Sequence, residues 1–205
     1  MKRREFIGGL GSTVAWPLAA RASADDTPQK VVLYEGDPRD SGSMSYVGSA
    51  VWRTEVVPPG RGQKADIAAR ADIEIPARNM SIRWSLRRND DSRLPASHTV
   101  VIVFMLPPDF PHSGIANVPG MLMKPGEPTR GVPLGGIAVK VATNSFRIGL
   151  SSADADAQRN IELLKEQSWI DIPVVYGDGK RAIIALEKGA PGEHAFNDAF
   201  AAWGQ

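Results

Sequence analysis

Between Asp66 and Arg87 the chain alternates so regularly that one hairpin, in one register, accounts for it. Ile67, Ala69, Ala71, Ile73 and Ile75 interleave with Asp66, Ala68, Arg70, Asp72 and Glu74, while Met80, Ile82, Trp84 and Leu86 interleave with Ser81, Arg83, Ser85 and Arg87. Apolar residues at period two mark strands with one dry face. With Pro76-Ala77-Arg78-Asn79 as the turn, Ile75 faces Met80, Ile73 faces Ile82, Ala71 faces Trp84, and Asp72 lies opposite Arg83 on the wet face. A slip of one residue would turn every apolar member outward, so burial and the charge pair select a single register.

The same reasoning organises the rest. Val31 to Tyr34 and Tyr46 to Val57 read as strands, separated by a loop from Gly36 to Ser43, and Pro58-Pro59-Gly60-Arg61-Gly62 ends the second. His98 to Leu106 is apolar on both sides and too short to span a membrane, which predicts a central strand covered on both faces. Ile137, Val139 and Val141 then alternate, Thr143-Asn144 turns the chain, and Phe146, Ile148 and Leu150 return. Ser151 or Ser152 is placed to cap a helix with Asp154 and Asp156 in its first turn and Ala153, Ala157, Ile161 and Leu164 along one side, ending near Gln167. Trp169 to Tyr176 and Arg181 to Glu187 flank Gly177-Asp178-Gly179, a strong hairpin signal. Phe196, Ala199, Phe200 and Trp203 recur at helical spacing, predicting a final helix over about 191–203 that packs an aromatic stripe on the sheet. The sum is an α+β domain, mostly antiparallel β, as a sandwich or partly open barrel with two short helices. Residues 46–205 form that single domain, and 25–45 supply a mobile start and first short strand. The one long irregular stretch is the proline- and glycine-rich loop at 107–134, where only Met121 to Lys124 looks strand-like. Such loops are more often functional than short ones.

Residues 1–24 read as a cleavable export signal. Lys2, Arg3 and Arg4 precede an apolar run from Phe6 to Ala20, and Ala22 and Ala24 fit a signal-peptidase pocket, predicting cleavage before Asp25. The run holds Gly8, Gly9, Gly11 and Pro17 and is shorter than the ~20 apolar residues of a spanning helix, so it makes a poor permanent anchor. Arg3, Arg4 and Phe6 in Arg-Arg-x-Phe-Ile fit the twin-arginine route, and the same basic cluster also serves general secretion. The leader carries four of the 24 bases and one of the 23 acids, which leaves 20 against 22 in the mature chain. A near-neutral product has no basic stripe for nucleic acid or anionic membrane. It contains no cysteine, which rules out disulfides, thiolate metal sites and thiol nucleophiles; about 180 residues bury enough apolar surface without them.

Chemistry has few carriers. Of the three histidines, His98 sits at a strand entrance and His194 in the first turn of the last helix, both read as structural or solvated. His112 is the most interesting, because Asp109, His112 and Ser113 bring an acid, an imidazole and a hydroxyl together on the long loop. Against this, the prolines around them rigidify a crossing segment and Phe110 plugs the core edge. No spacing supports a metal site, and no cofactor site is read from the chain. Gly131 to Gly136 precedes a strand rather than a helix, so the phosphate-cradling reading fails. Trp52, Trp84, Trp169 and Trp203 fall on apolar faces and read as core.

From Val100 to Trp203 the order is an apolar strand ending in Leu106-Pro107, a Gly/Pro loop, Gly120-Met121-Leu122-Met123, Arg130-Gly131-Val132-Pro133-Leu134, a strand pair, a helix bearing Ile161-Glu162-Leu163-Leu164-Lys165, a hairpin and an amphipathic end. This layout resembles the invasion-associated locus B family of alphaproteobacterial secreted proteins over about half the chain, without the cysteine pair typical of its members. The leader resembles those of rhizobial secreted proteins. The resemblance implies a secreted product and carries over no catalytic residue. The function expected is a periplasmic or secreted β-rich domain that binds a protein or envelope component without catalysis; the rival is a hydrolase or small-ligand protein using Asp109 and His112.

Overall fold

In the computed structural model, which describes residues 27–36, 43–58 and 66–205, a five-stranded antiparallel meander comes first. It runs through β1 (Gln29–Glu35), β2 (Met44–Val57), β3 (Asp66–Ile75), β4 (Met80–Arg88) and β5 (Ala96–Met105). The β3–β4 hairpin has the register its alternation predicts, with Ile75 opposite Met80, Ile73 opposite Ile82, Ala71 opposite Trp84 and Asp72 opposite Arg83. A single 3-10 turn at Pro76–Arg78 closes it, and Asn79 takes the left-handed conformation, φ 45°, that asparagine tolerates well. On the wet face Asp72 is 2.9 Å from Arg70 and 3.6 Å from Arg83. Burial works against its charge, yet the Arg70 and Arg53 guanidiniums hold the carboxyl below its ordinary range.

The rest of the chain extends this meander at both ends. β9 (Gly136–Ala142) and β10 (Ser145–Ser151) continue it beyond β5, while β12 (Arg181–Glu187) and β11 (Trp169–Tyr176) continue it beyond β1. Three short strands, β6 (Ile115–Asn117), β7 (Leu122–Lys124) and β8 (Val132–Pro133), complete the far side, β6 and β7 on β11 and β8 on β7. Among the described residues these strands form one 12-stranded antiparallel sheet, curled into a half-barrel, with α1 (Asp154–Glu166) and α2 (Gly189–Trp203) beside it.

The concave face is the core. Register aligns Trp52, Ala71, Trp84, Ile102 and Phe146 in one row across five strands, all nearly inaccessible to water. Ala69 and Ala71 leave a shallow floor on β3, and the aromatic stripe of α2 fills it: Phe196 meets Trp52 edge-on at 5.5 Å and stacks on Trp84 at 5.7 Å. Gly192 is what lets the helix approach, because a Cβ there would lie 3.1 Å from the Trp52 ring and 2.9 Å from the Lys188 side chain. The Trp203 indole N–H, at the other end of α2, donates to Asp66 and to the Ile67 carbonyl. Lys188, 1% exposed, joins the two helices: its ammonium donates to the carbonyls of Leu164 at 2.8 Å and Gln167 at 2.9 Å, neutralising the C-terminal end of α1. Burial lowers its pKa to about 8.

Three expectations are corrected. The stretch 107–134 carries two short strands, β6 and β8, beyond the one expected near Met121 to Lys124: it leaves β5, crosses to β11 at the opposite side of the sheet, and buries Phe110, Ile115, Val118, Met121 and Met123 in the core. Met121 reaches far enough to accept a hydrogen bond from the Trp84 indole at 3.3 Å. The segment serves as the second wall that a half-open sheet needs. β5 is fully buried along its concave side, whereas on its convex side Thr99 is buried, Val101 and Val103 are half-buried and Met105 is 45% exposed. The N-cap of α1 is Ala153 and makes no side-chain cap bond; Ser151 instead accepts a hydrogen bond from the Ala153 N–H. Residues 1–24 with Arg3, Arg4, Phe6, Ala22 and Ala24, and also Asp25, lie outside the described residues, as do most of the Gly36–Ser43 loop and the breaker after Pro58. Among those described, no helix is long and apolar enough to cross a membrane.

Candidate functional site

The dry-face parity of two strands carries polar side chains to one end of the half-barrel. On β1 the inward set is Val31, Leu33 and Glu35; on β11 it is Ile170, Ile172, Val174 and Tyr176. The small, buried Ala182 of β12 lies between these strands, opposite both Glu35 and Val174, and the Tyr176 hydroxyl reaches over to donate to Glu35 at 3.0 Å. Arg78, delivered by the β3–β4 turn, pairs with the other oxygen of Glu35, donates to the Tyr46 hydroxyl at 2.8 Å, and lies over the Tyr46 ring at 4.3 Å. From the crossing segment comes His112, stacked on the Tyr176 ring at 4.4 Å, with Nε2 3.8 Å from Glu35 and Nδ1 2.8 Å from Asp178.

This cluster is a structural lock. Both oxygens of Glu35 are engaged, and burial together with the Glu35 charge pushes the Tyr176 phenol well above its usual range, so it stays a neutral donor. The bond from His112 holds the Asp178 carboxyl below its ordinary value. The three residues singled out on the loop are not brought together as a catalytic set: Asp109 and Ser113 are exposed, and the buried His112 takes Asp178, 66 positions away, as its carboxylate partner. His98 is 1% exposed, packed on Trp203 and Phe200, and burial keeps its imidazole neutral by lowering its pKa. His194 faces Asp198 one turn along α2. Among the described residues no three His, Cys, Asp or Glu side chains form a group able to hold a metal ion.

The lock residues Glu35, Arg78, His112 and Tyr176 line part of a groove of about 1520 Å³ that also takes in Tyr34, Pro173, Val175 and Ile183 from the outward positions of β1, β11 and β12. Pro173, Val175, Ile183 and Leu122 give it an apolar floor. One wall holds a buried ion pair, Lys124 with Asp171 at 2.7 Å, and Lys124 also donates to the Glu127 carbonyl. Burial raises the Asp171 pKa although Lys124 opposes it. Glu127 closes the wall by accepting from the Tyr34 hydroxyl at 2.6 Å and from Lys30 at 2.5 Å, contacts that lower its own pKa. Arg130, Lys180 and Arg181 stand exposed at the rim.

Burial, and then the Glu127 carboxylate, push the Tyr34 phenol up to about 12. A phenol whose folded pKa lies above its unfolded 10.0 contributes stability that is complete below pH 10 and lost as pH rises through 12. Tyr34→Phe is therefore expected to cost stability at neutral pH, with the difference from the natural protein shrinking between those two values. Urea unfolding of both proteins across that range checks it, and a constant difference would contradict the assignment.

Comparison with known proteins found no match to any family model, curated protein or solved structure.

Proposed function

We propose that the chain is an exported, non-catalytic binding protein that engages a protein or envelope component through the groove lined by the lock and the outward positions of β1, β11 and β12. The observation that carries this reading is the groove itself. It is larger than the roughly 300–1,000 Å³ of ordinary small-molecule sites and combines an apolar floor with a charged rim. The absence of an assembled nucleophile and base at Asp109, His112 and Ser113 supports binding over hydrolysis. Export is supported by the leader at 1–24, with the periplasm or the exterior as its destination.

The test is capture from envelope extract by folded residues 25–205, compared with an Ile183→Trp variant that fills the groove floor. A component retained by the natural protein and released by the variant is the expected result. Equal capture by both would overturn the assignment of the groove. Cell fractionation of the full chain, with and without residues 1–24, tests export, and the Arg3→Lys/Arg4→Lys variant separates the two routes.

A further inference from the structure

We propose that the partner segment seated in this groove is an extended, acidic stretch of polypeptide. The proposal rests on the binding role argued above and adds the chemistry of what is bound. Charge is the first ground. Among the described residues, every carboxylate lining the groove is already held by a cation of this chain: Glu35 by Arg78, Asp171 by Lys124, and Glu127 by Lys30. Among the described lining residues the cations are in excess, five bases against three acids. Arg130 and Arg181 are exposed with no carboxylate in ion-pair reach among the described residues, and Lys180 lies 3.7 Å from Asp178. Guanidinium groups present planar pairs of donors that match carboxylates, so the surplus favours Asp or Glu side chains.

Shape is the second ground. The floor is made by alternate residues of neighbouring strands, Pro173 and Val175 on β11 beside Ile183 on β12. An extended segment laid across it directs every second side chain toward that floor, where aliphatic residues fit, and the others outward toward the arginine rim. The groove, at about 1520 Å³, exceeds the size of an ordinary small-molecule site, which suits a stretch of chain rather than a single metabolite.

The probe is a dye-labelled peptide alternating glutamate with valine, set against a lysine–valine counterpart and followed by fluorescence anisotropy with residues 25–205. The acidic peptide is expected to bind and to weaken as salt rises. Arg130→Glu/Arg181→Glu is expected to lower its affinity about tenfold or more, at about 0.7 kcal/mol or more per reversed charge. Arg147→Glu, on the convex face of β10, should leave binding unchanged. The milder Arg130→Gln/Arg181→Gln variant repeats the measurement should the double reversal fail to fold. Undiminished binding to the arginine variants, or no binding of the acidic peptide, overturns the proposal. If instead the lysine peptide binds and Ile183→Trp abolishes it, the acidic preference falls while the groove remains a binding site. If neither peptide binds and Ile183→Trp captures the same envelope component as the natural protein, both readings fall together.

Discussion

Trp52→Ala is expected to lower the free energy of unfolding by about 4 kcal/mol, the range for deleting a large aromatic side chain from a packed interior. Trp52 is fully buried and sits where sheet and helix meet, edge-on to Trp84 at 5.3 Å and to Phe196 at 5.5 Å. Its indole N–H donates to the Glu187 carbonyl at 2.8 Å, so the substitution also orphans an acceptor at the end of β12. The surroundings cannot collapse easily, because the close approach at Gly192 already sets the height of α2 over the sheet. Trp52→Phe is expected to cost less, about 2 kcal/mol, because part of the apolar contact survives while the bond is lost and a smaller void remains. Urea denaturation measures both. A loss below about 1 kcal/mol for the alanine variant would mean that α2 does not depend on this contact.

The second large effect is expected at Glu35. Glu35→Ala removes the partner of Arg78 and the acceptor of the Tyr176 hydroxyl from a site where the carboxylate is 8% exposed and the guanidinium 19%. Breaking one side of such a pair leaves an uncompensated charge, at a cost of about 3–5 kcal/mol. Because Arg78 stays ionised at any pH of interest, the protein cannot escape by neutralising it. The double variant Glu35→Ala/Arg78→Ala leaves no stranded charge and is expected to be more stable than Glu35→Ala alone. If the double variant is no better, Arg78 draws its support from Tyr46 rather than from Glu35.

What the sequence discloses and what it hides divide along a physical line. The β3–β4 register is legible because alternation over nine or ten residues leaves only one solution that buries Ile73, Ile82 and Trp84 together. The aromatic stripe of α2 is legible for the same reason at helical spacing. The crossing segment is not, because Phe110, Ile115, Val118, Met121 and Met123 are buried by individual fit between prolines and repeat at no fixed interval. The lock is hidden differently, since its members come from β1, the β3–β4 turn, the crossing segment and β11. A usable signal did exist: Glu35 continues the inward parity of Val31 and Leu33, and Lys188 that of Ile184 and Leu186. A charge falling on a dry face announces a buried partner even when the partner cannot be named. For His112 no such cue pointed to Asp178, and nearness in sequence pointed to Asp109 instead.

The place of β1 in the sheet bears on how the molecule is made. Its two neighbours are the next strand and the last, and Tyr176 reaches Glu35 across 141 positions. A ribosome releases the first strand long before its outer neighbour exists, so the meander can form during synthesis while its leading edge stays unpaired. Pairing so distant in the chain raises contact order and slows the final step. Until the closing hairpin emerges, β1 is an exposed edge of the kind that invites aggregation, and a chain cut short before Trp169 would carry that hazard permanently.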